Sequence, residues 1–280
     1  MKNKLSIIIL FTFDHEYLYV KNILKWILNN KPALSFDVIV VSNGNKLKFD
    51  KLKEEFAKES FIKFILNDKN LGYGKGNHVG VSHSESEYFL IMHPDIELFK
   101  ENLEAMVSHM DRHKDIGILA PQLIYEDGEV QDVYRRFPSI LDFLIKRTFL
   151  KKVPFFSKRL FKYLMHDKNP ELISEVDWVV GALILVRRSM YDMVGGFDKR
   201  YFLFMSDTDL CREFWLRKFK VVYYTSAKFT HYHKRLSSGG IISLFTKKAL
   251  RIHVISAIKY FWKYKFKKVP HITPEEKLKF

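Results

Sequence analysis

The chain has 280 residues, 47% hydrophobic and 28% charged, which provides apolar material for one large globular domain or two small ones. No apolar run approaches the ~20 residues needed to span a bilayer, and a single cysteine, Cys211, excludes an internal disulfide framework and a multi-cysteine zinc site. The net charge of +15 favours an anionic partner: nucleic acid, anionic lipid or a phosphorylated substrate.

Residues 5–13 form the longest apolar run near the start. It is followed by Asp14, His15 and Glu16 and has no small-residue cleavage site, so it reads as a buried strand of a cytosolic protein. Residues 16–30 then show helical spacing, with Leu18, Ile23, Trp26 and Ile27 on one side. "FDVIVVSN" reads as a second strand, residues 47–58 as a helix and "FIKFILN" as a third strand. A glycine-rich turn leads into a helix over 72–84, "YFLIM" is a fourth strand, residues 98–113 are helical and "IGILAPQLIY" is a fifth strand. Alternation of helices with continuous apolar strands implies a mainly parallel sheet covered on both faces. From about 135 to 175 the pattern breaks into a basic, aromatic segment punctuated by Pro138, Pro154 and Pro170. It resumes with "VDWVVGALILVRR", a Gly-Gly turn, a helix from Ser206, the strand "FKVVYYT" and a helical tail over about 243–265.

Open parallel sheets bind ligands beyond the carboxyl ends of their strands. The residues at those ends are Thr12-Phe13-Asp14, Ser42-Asn43-Gly44, Asn67 to Asn70 and His93-Pro94-Asp95, all expected on one edge. Asp95, at a rigid strand end, suits a hard cation such as Mg²⁺ or Mn²⁺, or simply starts the next segment. "NLGYGKGNHVG" is neither a Walker A loop nor a Rossmann fingerprint, and on its own reads as a flexible entry into a helix. In "FLFMSDTDL", Ser206 is expected to cap a helix, with Asp209 completing a near capping box. That leaves Asp207 without a capping role, behind an apolar run, where it can accept a proton from a hydroxyl. His231 and His233 precede Lys234 and Arg235, a combination suited to a metal or a diphosphate. Two stretches, 145–164 and 251–268, interleave aromatic residues with lysine and arginine, as an interfacial membrane segment or a single-stranded nucleic-acid surface would.

In this order, "SIIILFTFD", "VIVVSNGN", "NLGYGKGNHVGV", "YFLIMHPDIEL", "DWVVGALILVRRSMYDMVGGFDKRYFLFMSDTDLCREF" and "HYHKRLSS" resemble inverting family 2 glycosyltransferases of the GT-A fold, particularly the rhamnosyltransferase-like bacterial branch. The resemblance spans roughly residues 5–265. It implies that Asp95 is the last acidic residue of a metal-binding Asp-any-Asp motif, holding Mg²⁺ or Mn²⁺ on a nucleotide diphosphate. Asp207 matches the catalytic base, and His231 a position that reaches the metal or the diphosphate. Thr12, Phe13 and Asp14 fall where the nucleobase and ribose are held. The implied donor-binding set also takes in Ser42, Asn43, Asn70, Gly72, Gly76, Asn77 and His93. Gly181 and Ala182 lie where donor sugar and acceptor meet, flanked by Trp178 and Asp209. Three positions depart from the family pattern: Ser42 stands where an acidic residue is usual, His93 where Asp or Asn is common, and Ser206 where a Glu normally precedes the catalytic Asp. The implied partners are a dTDP- or UDP-sugar donor, a lipid-linked saccharide acceptor and the anionic inner face of a membrane, with no nucleic acid. The implied layout is a catalytic domain over 1–240, comprising a nucleotide-binding half (1–130), the basic insertion (135–175) and an acceptor half (176–240), followed by a basic amphipathic tail (241–280). Other readings are a nucleotidyltransferase, which lacks its expected basic glycine-rich loop here, a basic nucleic-acid-binding protein, and an inactive carbohydrate-binding protein of the same fold.

Overall fold

In the computed structural model, which describes residues 2–232 and 248–265, the apolar runs become strands at almost the expected boundaries. They are β1 (Leu5–Phe11), β2 (Phe36–Asn43), β3 (Ile62–Asn67), β4 (Tyr88–Met92) and β5 (Ile116–Ile124). Between them lie α1 (Glu16–Asn29), α2 (Lys46–Glu55), α3 (Tyr73–Ser82) and α4 (Lys100–Arg112). β4 is buried along its whole length, as its unbroken apolar sequence requires. β3, β2, β1 and β4 pair in parallel in that order.

The second half completes the sheet differently. β9 (Leu183–Arg187) runs antiparallel between β4 and β5. β10 (Lys220–Thr230) pairs in parallel with β5 and antiparallel with the short β7 (Ser174–Glu175). The sheet order is therefore β3-β2-β1-β4-β9-β5-β10-β7. The apolar stretch before the two arginines is not one strand. It breaks between β8 (Trp178–Val179), which pairs with β6 (Tyr134–Arg135) in a separate ribbon, and β9. Arg187 is buried and donates to the carbonyls of Met110 (2.7 Å) and His113 (3.1 Å), so this arginine closes the end of α4 rather than offering itself to an anion.

The glycine-rich segment has a packing cause. Gly76 and Gly80 lie one helical turn apart on α3, facing β1. An added Cβ would stand 2.8 Å from Leu10 Cδ1 at Gly76 and 2.6 Å from Ile8 Cγ2 at Gly80. Gly72, just before α3, has φ 82° and ψ −176°, a conformation essentially reserved for glycine.

The basic insertion is helical: α5 (Ile140–Arg147), a 3₁₀ turn over Phe149–Lys152 and α6 (Pro154–Tyr163). Ser139 and Asp142 form a capping box at the start of α5, and Pro154 opens α6 at a position where its missing N–H costs nothing. Then come α7 (Arg188–Val194), α8 (Ser206–Leu216) and α9 (Lys248–Lys263). Ser206 does not cap α8 as expected. Met205 holds the N-cap position in a left-handed conformation (φ 69°), and Ser206 is fully buried. The expected tail helix is described from Lys248. Its start near Ser243, the group His233, Lys234 and Arg235, and residues 266–268 of the basic stretch lie outside the described residues. Among the described residues no helix is long and apolar enough to cross a membrane.

Candidate active site

Three chain segments meet beyond the ends of β4 and β10. The His93 N–H donates to the Ala182 carbonyl (2.7 Å), and the Tyr232 N–H donates to the Asp95 carbonyl (2.9 Å). The Glu97 N–H donates to the Thr230 carbonyl (2.9 Å), so the His-Pro-Asp turn is fixed from both sides. This brings one ligand atom each from His93, Asp95 and His231 within 4.8 Å of one another. His231 Nε2 lies 3.4 Å from Asp95 Oδ1. Its Nδ1 lies 2.9 Å from Gln131 Oε1, while Gln131 Nε2 donates to the carbonyls of His231 (2.9 Å) and Ile124 (3.4 Å). The Gln131 oxygen is thus the acceptor, the proton sits on His231 Nδ1, and Nε2 is turned towards Asp95. Burial acts to raise the Asp95 pKa, but the adjoining His231 and His93 imidazoles outweigh it and hold the carboxyl below its usual value. One carboxylate and two imidazoles suit Mn²⁺, which takes imidazole nitrogen more readily, better than Mg²⁺, which prefers all-oxygen surroundings.

Asp207, in the first turn of α8, faces the same place. Its Oδ2 accepts from the Gly181 N–H (3.2 Å) and its Oδ1 from the Thr208 N–H (2.8 Å). Burial pushes its pKa up, and those two bonds and the charge of Arg135 only partly offset that. Gly181 is required by close approach: a Cβ there would stand 2.0 Å from the Tyr73 hydroxyl. That hydroxyl donates to the Gly181 carbonyl at 2.6 Å. The Tyr73 ring stands edge-on to His93 (6.0 Å) and Phe197 (5.7 Å). Tyr73, His93, Gly181, Ala182, Asp207 and His231 line one cavity of about 660 Å³. Its outer wall includes Arg135, Phe143 and Lys146 from the insertion side, Phe204, and His253 of α9. Trp178 also lines it, anchored by its indole N–H to the Arg136 carbonyl (2.8 Å) and overlaid by the Arg135 guanidinium at 5.1 Å.

The residues beyond β1, β2 and β3 lie on the same sheet edge but do not line this cavity. The Thr12 and Phe13 N–H groups both donate to Glu16 Oε2 (2.6 and 2.8 Å), and the exposed Phe13 ring stacks on His15 at 5.6 Å. Asp14 accepts from the Asn45 side chain (2.8 Å). Asn70 is exposed, and its side chain accepts from the Gly72 N–H (2.8 Å).

Several expected contacts take a different place. Ser42 is wholly buried, and its hydroxyl closes the turn to Asn45, accepting from the Asn45 N–H at 3.1 Å. Asn43 is buried too, its carboxamide bonded to Asn67, Asn70, Leu71 and Gly72. Gly76 and Asn77 are turned into the core, where Gly76 meets β1 and Asn77 donates to the Tyr73 carbonyl (3.1 Å). Asp209 does not face the cavity. It is 1% exposed and is bonded to Lys263 of α9, because position 209 lies on the side of α8 turned to that helix. Conversely, Gln131, Tyr73 and Arg135 were not anticipated. Each acts through a partner far along the chain; Tyr73 lies within the glycine-rich stretch, while no local motif marks Gln131 or Arg135. The capping box Ser139-Ile140-Leu141-Asp142 was the one signal that predicts the insertion's first helix.

Residues 6–168 match the family described as Glycosyl transferase family 2. Over 192 residues the chain is 28% identical to the N-acetylglucosaminyl-diphospho-decaprenol L-rhamnosyltransferase of Mycobacterium tuberculosis, covering 64% of this chain and 61% of that relative's length. It is 25% identical over 264 residues to rhamnosyltransferase WbbL of Escherichia coli, covering 90% of this chain and 91% of WbbL. Among solved structures, GalNAc-T7 with UDP, GalNAc and Mn²⁺ aligns with 98% of this chain and 53% of its own (TM-score 0.59, 13% identity). The mannosyltransferase PcManGT from Pyrobaculum calidifontis, in complex with GDP-Man and Mn²⁺, aligns with 96% of this chain and 66% of its own (TM-score 0.58, 13% identity). The expected GT-A architecture is thus the observed one. With more than half of its length matched, the chain belongs to glycosyl transferase family 2.

Proposed function

We propose that this protein is a metal-dependent inverting glycosyltransferase, which moves a sugar from a nucleotide-diphospho-sugar to a hydroxyl of a lipid-linked saccharide. One observation carries the reading: Asp207, His93 and His231 line one cavity across the Gly181-Ala182 turn, with Asp95 grouped beside the two imidazoles. Thr12, Phe13, Asp14 and Asn70 present the nucleotide-binding edge, and the buried Ser42 and Asn43 hold its turns. His93, Asp95 and His231 would hold Mn²⁺ or Mg²⁺ at the donor diphosphate, where the ion supplies Lewis-acid neutralisation of the leaving charge.

The chain's own residues account for the remaining steps. The acceptor hydroxyl enters the cavity between Trp178 and Phe204. Asp207 takes its proton as the oxygen attacks the anomeric carbon from the face opposite the diphosphate. A single displacement of that kind inverts the configuration. The Gly181 and Thr208 N–H groups orient the carboxylate, and its raised pKa makes it a better base than an exposed Asp. The relatives' names support rhamnose as the sugar and a diphospholipid saccharide as the acceptor.

Residues 1–240 form the catalytic domain in this reading, and the insertion and α9 carry it to the cytoplasmic face of the membrane. Phe149, Phe155 and Trp262 are 76%, 75% and 74% exposed and stand among Lys151, Lys152, Lys158 and Lys259. Aromatic bodies rimmed by lysines favour an anionic lipid surface. A screen of UDP-, dTDP- and GDP-sugars for hydrolysis, with and without Mn²⁺, tests the activity. Turnover of one donor, dependent on the metal, is expected; none with any donor would overturn the reading.

A further inference from the structure

Lys263, near the end of α9, stands among three carboxylates. Its Nζ lies 2.8 Å from Asp209 Oδ2, 3.0 Å from Asp198 Oδ2 and 3.1 Å from Glu213 Oε1. Burial works against the ammonium, but these carboxylates outweigh it and hold its pKa above the ordinary value. The hydroxyls of Tyr201 (3.1 Å) and Tyr264 (2.8 Å) donate to Asp209 as well. Arg212 lies over the Tyr264 ring at 3.7 Å and donates to the Tyr260 hydroxyl at 3.1 Å.

These contacts join α9 to the segment that carries Asp207. Asp198 lies in the loop before α8, Asp209 is in the first turn of α8, and Glu213 is one turn further on. Tyr201, Met205 and Tyr260 form a small core of their own beneath the network. Met205 holds its left-handed conformation two residues before Asp207, a backbone state that non-glycine residues keep only when their surroundings impose it. At its other end α9 reaches the cavity itself. His253 stacks on Phe204 (4.3 Å) and meets the Phe143 ring edge-on (5.3 Å).

We propose that Lys263 is a positioning residue for Asp207, and that α9, through it, locks the first turn of α8 in the orientation that aims the carboxylate at the acceptor. The proposal rests on the reading of Asp207 as the base. Lys263 touches no cavity atom, so its effect must pass through the α8 backbone. Removing its charge leaves Asp209 buried against Asp198 and Glu213, and the turn that bears Asp207 must yield to separate them.

Full-length Lys263→Met and Lys263→Arg, with Tyr264→Phe as a milder variant that removes only a hydroxyl, provide the test. Hydrogen exchange of the backbone amides of residues 205–210 is read first, because it does not depend on turnover. Lys263→Met is expected to speed exchange there while leaving β1, β2 and β4 protected, with Tyr264→Phe intermediate and Lys263→Arg close to wild type. Nucleotide-sugar hydrolysis should then fall about tenfold or more in kcat, since small misplacements of a catalytic group carry large costs, with KM for the donor and thermal-shift binding of dTDP plus Mn²⁺ unchanged. Unchanged exchange at 205–210 in Lys263→Met would overturn the proposal. So would exchange that rises equally in every strand, because Lys263 would then only hold the fold together. If the wild-type chain turns over no donor, the functional reading fails, and the exchange pattern still decides whether α9 holds the turn.

Discussion

The two ends of the sheet edge are built on different plans. Beyond β1, β2 and β3, the polar side chains bond to neighbours in adjacent turns: Ser42 to Asn45, Asp14 to Asn45, Glu16 to Thr12 and Phe13. Beyond β4, β9 and β10, the decisive contacts join distant parts of the chain. His231 is oriented by Gln131 across 100 residues, Tyr73 meets Gly181 across 108, and Asp209 meets Lys263 across 54. The first edge is held by side chains that join turns no more than 31 residues apart and should tolerate change elsewhere. The second is an assembly, and its geometry should respond to substitutions far from the cavity.

Several substitutions would break or sharpen that contrast. The largest effect is expected from Asp95→Ala, which removes the carboxylate of the three-donor group. Mn²⁺-dependent turnover should fall by more than about a hundredfold, beyond what outer partners of a metal cost when lost, with Mn²⁺ titration by electron paramagnetic resonance as the check. Gln131→Ala removes none of the three donors, yet it should weaken Mn²⁺ binding by about 10–100-fold, because it frees the His231 ring to turn. If Gln131→Ala bound Mn²⁺ as tightly as wild type, the assembled character of this edge would be wrong.

A pair of glycines makes the comparison directly. Gly181→Ala must displace the Tyr73 hydroxyl and should cost up to about a hundredfold in kcat with little loss of stability. Gly72→Ala places a Cβ 1.9 Å from the Phe202 carbonyl oxygen. It should lower stability by about 1–3 kcal/mol in chemical denaturation. Smaller still is the surface effect. Phe149→Ser with Phe155→Ser should reduce co-sedimentation with anionic vesicles by about tenfold at low salt while leaving thermal stability alone. Equal vesicle binding by wild type and variant would remove the insertion from the membrane-facing role.

The pH dependence follows from the direction of the Asp207 shift. Its folded pKa is raised by burial, so the acid limb of kcat should lie above the ordinary carboxylate range. The same shift sets the sign of its effect on stability. A carboxyl whose pKa is higher folded than unfolded favours the fold below the unfolded pKa, and that contribution is lost as pH rises through the folded pKa. Asp207→Asn should therefore be at least as stable as wild type at neutral pH.

Much of the sheet was legible because its physics is local. Continuous apolar runs such as "YFLIM" predict buried strands, and the strand ends list the polar residues of the edge. The reversed strand β9 was not legible, since "LILVR" reads the same in either direction and only its neighbours β4 and β5 fix its sense. Asp207 and Asp209 share one turn, and the capping role by which the sequence sets them apart is not how they differ in the structure. The structure separates them by what lies opposite: the Gly181 N–H and the cavity for Asp207, Lys263 for Asp209. His93 and Asp95 were visible as a pair at a strand end, whereas the Gln131 carboxamide that orients their partner His231 follows the Asp127-Gly128 turn and belongs to no motif itself.

Donor turnover by the wild-type chain and Asp207→Asn, measured side by side with Mn²⁺ and the preferred nucleotide sugar, tests the central claim most directly. The variant is predicted to bind that donor with wild-type affinity and to turn it over at least about a hundredfold more slowly. Near wild-type turnover by a soluble, folded Asp207→Asn protein would contradict it.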